Sequence, residues 1–269
     1  MKKLLFLLVL PFLMASYNTQ AQVGSFVDHV DVLKTHQTMF NFSRGGNYDH
    51  LSGSFRDYEG NFYIYGQYEG NRENFNIKID DVQLNGIDDD HFIIVKYDKN
   101  YKAQWGHVFH NKSIYYMKAL QGPDSLIYIF ASGSGYFQMG NVYLPDYYPN
   151  HHPTYMVRVD PETGEALDGH IVGNGPDEFN RDFYDATLDK EGNIYVALQC
   201  SYSQSTGKPD SIRFGHLSAE WKVRNILSTD MTAILKYDKN MNPVWLRAIG
   251  PHWNNAIVHL DCQDNNLIV

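Results

Sequence analysis

The sequence predicts an all-β fold made of repeated four-stranded units, a β-propeller. Three observations carry this expectation. Asp57-Tyr58-Glu59-Gly60-Asn61-Phe62-Tyr63-Ile64 recurs as Asp189-Lys190-Glu191-Gly192-Asn193-Ile194-Tyr195-Val196 and, more loosely, as Gly122-Pro123-Asp124-Ser125-Leu126-Ile127-Tyr128-Ile129, and it starts again at Asp261. A second phrase recurs as Phe92-Ile93-Ile94-Val95-Lys96-Tyr97-Asp98, Tyr155-Met156-Val157-Arg158-Val159-Asp160 and Ala233-Ile234-Leu235-Lys236-Tyr237-Asp238. With 20 Tyr, 15 Phe, 4 Trp and 21 Gly in 269 residues, the composition favours strands and tight turns.

Residues 1–21 read as a secretory signal peptide. Lys2 and Lys3 give a positive start, residues 4–14 form an apolar run broken by Pro11, and Thr19-Gln20-Ala21 offers a small-residue cleavage site. The rival reading, a membrane anchor, fails on length, because spanning a bilayer takes about 20 apolar residues. No Cys follows the run to carry a lipid anchor, and no later stretch is long and apolar enough to cross a membrane. The expected mature region is 22–269. Loss of the two lysines takes the formal charge from −9 to −11. An acidic chain without basic clusters is a poor partner for nucleic acid.

Residues 23–37 are polar and weakly patterned. Thr38-Met39-Phe40-Asn41-Phe42-Ser43 alternates as a half-buried strand does, and Gly45-Gly46-Asn47 closes it. Each repeat then has the same parts in order. A first strand is expected at residues 50–55, 115–120, 183–188 and 256–260. The Asp/Gly/Asn turn and a buried second strand follow, since those turn residues accept tight-hairpin backbone angles and Ile, Phe, Tyr and Val suit a pleated surface. The third strand ends in Lys96, Arg158 or Lys236, one further residue and Asp. A turn opened by Asp98, Asp160 or Asp238 leads to the fourth strand, with Trp105, Leu167 or Trp245 seven residues after the Asp.

Tyr63, Tyr128 and Tyr195 are spaced by 65 and 67 residues, and Asp98, Asp160 and Asp238 by 62 and 78. The variation falls between the second and third strands, which marks a surface loop. Four strands per repeat, each hairpin-linked to the next, have two faces to bury, and stacking repeat on repeat buries them. A β-sandwich is the structural alternative, but it gives no reason for motifs at a shared spacing. Residues 39–42 resemble the last strand of a blade, as a ring closed by its own termini would need. The chain stops inside a fourth copy, so a fragment of a longer protein, incomplete at the C-terminus, is expected. The alternative is a short protein with an open, association-prone arc.

Gly60-Asn61-Phe62-Tyr63, Asp90 with the Phe92–Asp98 phrase, Trp105, Gly192-Asn193-Ile194-Tyr195-Val196, Lys236-Tyr237-Asp238 and Trp245 together resemble the bacterial secreted seven-bladed β-propeller repeat family, in a Bacteroidetes-like exported protein. Between these blocks the family carries a Phe/Gly segment leading to Leu. Phe137-Gln138-Met139-Gly140-Asn141-Val142-Tyr143-Leu144 fits it well, and residues 77–84 and 212–217 fit loosely. The second repeat departs most, lacking Gly-Asn, Lys-Tyr and Trp. The resemblance implies an exported or cell-surface propeller, often joined to further domains, among them a C-terminal sorting domain. The family has no single activity and hands down no catalytic residues.

The remaining candidates favour structural roles. His151-His152 lies between Pro149 and Pro153, and adjacent side chains on an extended chain point opposite ways, a poor chelate. His107 and His110 fall at a strand end, where surface or inter-blade packing accounts for them. Asp88-Asp89-Asp90 lacks the Gly and Glu of a calcium loop and reads as a solvated turn. Asp57, Asp98, Asp189 and Asp238 open turns and accept backbone hydrogen bonds. Lys96, Arg158 and Lys236 are candidates to pair with carboxylates of a neighbouring blade. Gly133-Ser134-Gly135 follows a strand without a helix behind it, which argues against phosphate binding. No Gly-x-Ser-x-Gly occurs, and Cys200 has no His partner by motif. A Cys200–Cys262 bridge is compatible with export, while the cysteines' different places in their repeats favour free thiols. Tyr136, Tyr147, Tyr148 and Tyr155 form an aromatic-rich insertion suited either to stacking on sugar or protein or to packing on itself.

No catalytic, cofactor-binding or metal-binding residue is assigned, and no cofactor is expected. The function expected is a non-catalytic binding or scaffolding module, secreted or at the cell surface, for a protein or carbohydrate ligand that the sequence does not identify. The alternative is a carbohydrate-active glycoside hydrolase or lyase with carboxylates on the innermost strands.

Overall fold

Asp-opened turns precede the fourth strand of every repeat and the second strand of the first and third, and the described residues are all-β. The computed structural model describes residues 50–69, 75–86, 90–110, 113–146, 153–172, 179–202, 211–214, 216–220, 230–249, 259–263 and 266–269. All lie in one body, Ser43–Val269. The first repeat holds β1 (His50–Arg56), β2 (Phe62–Glu69), β3 (Phe75–Ile79), β4 (Val82–Gly86), β5 (Asp90–Tyr97) and β6 (Ala103–His110). The second holds β7 (Ser113–Gln121), β8 (Ile127–Ser134), β9 (Phe137–Met139), β10 (Val142–Leu144), β11 (Thr154–Val159) and β12 (Ala166–Val172). The third holds β13 (Phe179–Leu188), β14 (Ile194–Tyr202), β15 (Ser211–Phe214), β16 (Leu217–Glu220), β17 (Asp230–Tyr237) and β18 (Pro243–Ile249). A last hairpin pairs β19 (Asp261–Gln263) with β20 (Asn266–Ile268).

Each repeat contributes four antiparallel strands to one sheet, ordered β1-β2-β5-β6, β7-β8-β11-β12 and β13-β14-β17-β18. The turn before each second strand is locked by a carboxylate. Asp189 Oδ1 accepts the N–H groups of Glu191 and Asn193, and Oδ2 accepts Asn193 Nδ2 and the Tyr195 hydroxyl, at 2.8–3.1 Å. Asp57 repeats this set with Glu59, Asn61 and Tyr63. Burial raises the Asp189 carboxyl, but the Asn193 and Tyr195 hydrogen bonds and the Lys236 charge outweigh it and leave its pKa lowered. In the second repeat Gly122 stands where the Asp would be. Asp124, two residues on, bonds the Tyr128 hydroxyl at 2.8 Å instead, over the space Gly122 leaves open. Burial, then that bond, pushes the Tyr128 hydroxyl up to about 12.

The second strands are buried on both faces, which is why they read as unbroken apolar runs. Alternate residues of β8 serve opposite layers. Ile127, Ile129 and Ala131 pack with Tyr63, Phe92 and Trp105 of the first repeat, and Tyr128 and Phe130 pack with Phe183, Val196 and Leu235 of the third. Phe130 and Phe183 stack across that second layer at 6.0 Å. Burying each such side chain contributes about 1.5–3 kcal/mol.

Two of the three third-strand cations, Lys96 and Arg158, tie one sheet to the next. Lys96, almost wholly buried, donates to the Pro161 carbonyl at 2.8 Å and pairs with Glu162 at 3.1 Å, and the Trp105 indole donates to the same carbonyl at 3.0 Å. Arg158 reaches the matching carbonyl of the third repeat, Lys239 O, at 3.4 Å. Thus Lys96 pairs with a neighbouring repeat's carboxylate, as expected, whereas Arg158 pairs with Asp168 of its own sheet and Lys236 lies 3.9 Å from Asp189 of its own.

Four expectations need correction. The segment between second and third strands is not a plain surface loop: each repeat folds a two-stranded hairpin there, β3–β4, β9–β10 and β15–β16. These hairpins bury Ile79, Leu84, Phe137, Met139, Leu144, Ile212 and Phe214. They are the Phe/Gly segments of the sequence, and β9 continues the first repeat's sheet through His110↔Gln138. Second, Leu167 is not the counterpart of Trp105. The turn opened by Asp160 is one residue longer, closing on Glu165 where Asp98 closes on Lys102. Asp168 therefore takes the Trp position opposite Arg158, and Leu167 turns outward. Third, the start of the fourth copy is a strand through Gln263 rather than a turn from Asp261, so Cys262 lies in a strand. Fourth, residues 259–260 are not strand, and 256–258 of that expected strand fall outside the described residues, as do residues 23–43.

The turn of the second repeat bears directly on the first. A Cβ on Gly164, whose φ is +75°, would lie 2.6–2.7 Å from ring atoms of His107 and Trp105; Gly60, at φ +87°, has nothing within 4 Å. Alanine at Gly60 is expected to lose about 1–2 kcal/mol, the left-handed backbone cost alone. Alanine at Gly164 is expected to lose about 1–3 kcal/mol more, from the ring contacts. Urea unfolding of the two variants measures the difference, and equal losses would contradict the inter-repeat contact.

Candidate binding cavity at the first strands

First strands line up side by side, β1 next to β7, β7 next to β13, and β13 next to β19. Each carries a bulge, at Leu51/Gly53, Ile114/Tyr116 and Phe183/Asp185. The register makes Gly53, Lys118 and Asp185 equivalent: they face Tyr65, Phe130 and Ala197, which occupy one position of the second strand. A single inward position thus holds no side chain, a cation and a carboxylate in successive repeats. The Tyr65 ring fills the gap over Gly53, its hydroxyl 2.4 Å from where a Cβ would stand.

Asp185, 8% exposed in its side chain, is the hub. Its Oδ1 takes the Lys118 ammonium of the second repeat and the Ala186 N–H at 2.9 Å. Its Oδ2 takes the Leu260 N–H and His259 Nδ1, both at 2.8 Å. A carboxylate only accepts, so His259 Nδ1 carries the proton of this contact. Three stretches of chain, 67 and 75 residues distant in the case of Lys118 and Leu260, meet on one carboxylate.

Beside this hub lies a cavity of about 640 Å³, within the range of small-ligand sites. Lys118, Leu120 and Gln121 line it from the second repeat, Thr187, Leu188, Asp189 and Lys190 from the third, and His259 to Cys262 from the last stretch. Tyr58, 73% exposed, closes it from the first turn, its N–H donating to Gln121 Oε1 at 2.6 Å. The walls mix ammonium, imidazole, amide and hydroxyl groups with Leu and Pro surfaces. Such a site can hold a small polar ligand by hydrogen bonds.

Asp185 and His259 are oriented as a carboxylate orients a general base. No activated nucleophile accompanies them among the described residues. Burial and the Asp189 and Asp261 charges push the Cys262 thiol up, against a hydrogen bond from Thr187. Cys200 and Cys262 are not joined by a disulfide. Among the described residues no three His, Cys, Asp or Glu are grouped to hold a metal, and no helix is long and apolar enough to cross a membrane.

The other sequence candidates are dispersed. His107 packs on Trp105 and meets Thr163 O at 3.3 Å, between repeats. Gly133-Ser134-Gly135 ends β8 and leads into β9, with Gly135 O accepting the Tyr155 hydroxyl. Tyr155 is buried, whereas Tyr136 and Tyr143 are exposed. Asp88, Asp89, Tyr147, Tyr148, His151 and His152 lie outside the described residues. Sequence reasoning missed Lys118, Asp185 and His259. Their only signal was two ionisable residues at one position of successive first strands. No protein-family model matches the chain, and no curated protein is similar to it in sequence.

Removing Asp185 strands the half-buried Lys118. Asp185→Ala is expected to lose about 3 kcal/mol, and adding Lys118→Met is expected to restore part of it. A double-mutant cycle by urea unfolding tests the coupling; additive losses would show that the pair does not interact.

Proposed function

We propose that this chain is a β-propeller repeat array, related to the bacterial secreted seven-bladed propeller repeat family, that serves outside the cell or at its surface as a non-catalytic binding or scaffolding module. The stack of three like sheets, with their first strands side by side, supports the propeller reading. The signal-peptide pattern of residues 1–21 supports export. The observation that carries the binding reading is the cavity at the first strands, lined by residues of every described repeat.

The competing reading is a carbohydrate-active enzyme, which needs a pair of carboxylates flanking the scissile bond. Of the first strands, β1 and β7 contain no Asp or Glu, while β13 contains Asp182 and Asp185 and β19 contains Asp261. Asp185 of β13 is held by four donors, which suits a structural carboxylate rather than a proton donor or nucleophile. This favours binding without turnover.

Defined glycans and uronate polymers, incubated with the mature chain and assayed for new reducing ends and for unsaturated products, separate the two classes. No turnover is expected on any of them. Cleavage abolished by Asp185→Asn in a variant that still folds would overturn the binding-module reading.

A further inference from the structure

The hairpin β9–β10 of the second repeat presents an aromatic and polar face outward. Strand alternation decides which residues share that face. Met139↔Val142 and Phe137↔Leu144 are cross-strand pairs directed at the core, with Phe137, Met139 and Leu144 buried. Tyr143↔Gln138 is the intervening pair, on the opposite face, and Tyr143 is 55% exposed. Tyr136, two residues before Gln138, is 38% exposed, and its ring lies 5.4 Å from that of Tyr143 at a tilt of 32°. On the other side Gln138 pairs with His110 of β6. Directly opposed residues of antiparallel strands share a face, so His110, Gln138 and Tyr143 form a row across three strands with Tyr136 beside it.

We propose that this row is a carbohydrate-binding platform, separate from the first-strand cavity, that takes a pyranose unit of a neutral oligosaccharide. A sugar ring has an apolar C–H face and a rim of hydroxyls. The Tyr136 and Tyr143 rings offer a surface for the first. Gln138, paired with His110 in the sheet, donates one amide N–H to Gly140 O at 3.3 Å and keeps Oε1 to accept a hydroxyl. The size of the patch points to a sugar and not to a protein. A stable protein partner covers about 800 Å² on each side, and two rings with two polar side chains fall far short of that. Tyr136, Gln138, Tyr143 and His110 include no Lys or Arg to pair with the carboxylate of a uronic acid or other anionic sugar.

The test titrates the full chain with cellohexaose, xylohexaose, mannohexaose, maltohexaose and, as an anionic control, oligogalacturonate, by calorimetry and saturation-transfer NMR. At least one neutral hexasaccharide is expected to bind, and oligogalacturonate is not. Tyr143→Ala and Tyr136→Ala are expected to weaken binding by about tenfold or more, while Tyr143→Phe, which keeps the ring, retains it. Both rings are exposed, so the alanine variants should melt with the parent. Thr187→Trp, which fills the first-strand cavity, should leave sugar binding unchanged. The proposal is overturned if no neutral sugar binds, if binding survives both alanine changes, or if Thr187→Trp alone abolishes it.

Discussion

Everything in this structure depends on the two-sided burial of the second strands. A four-stranded sheet whose central strands are apolar on both faces cannot persist alone in water. Ile129 and Phe130 are neighbours in sequence, yet each is fully buried in a different inter-repeat layer. That arrangement makes every sheet the wall of two cores. It also explains why the apolar runs are continuous where a one-sided sheet would alternate.

Carboxylates then do the positioning. At the turns, Asp57 and Asp189 each gather backbone N–H groups, an Asn side chain and the hydroxyl of the buried Tyr at the second position of the next strand. The Tyr brings a polar group into the core, and the turn supplies its acceptor. In the second repeat the acceptor moves from position one to position three of the turn and still reaches the hydroxyl. The conserved quantity is the hydrogen bond rather than the residue. Asp185 uses the same chemistry between repeats, gathering donors from the second repeat and from the last described stretch.

Local chemistry was readable and register was not. The turns and strands follow from Asp, Gly and Asn at fixed offsets from Ile, Phe and Tyr, and the strands form close to where those residues put them. The inserted hairpins were visible only as Phe/Gly segments, because β9 and β10 are three residues each and too short to show a period. Leu167 was misread because a one-residue extension of a turn is silent in spacing yet reverses which side chain faces inward. The cavity could not be read at all. Lys118 and Asp185 are 67 residues apart, and only the side-by-side packing of β7 and β13 brings them together. The aromatic insertion was legible as composition, while its division into a buried Tyr155 and an exposed Tyr136–Tyr143 pair required the sheet register.

The repeats form one cooperative stack, with the middle sheet sealed by its neighbours and the proposed binding surfaces on its margins. Native-state hydrogen exchange measures this most directly. Amides of β8, bonded to β7 and β11 and covered on both faces, should exchange only through global unfolding, at the free energy that urea unfolding gives. The half-buried outer strand β12 should exchange through smaller openings. Exchange of β8 at the rate of β12, or a β8 free energy well below that of global unfolding, would show that the second sheet opens independently and would contradict the stacked arrangement.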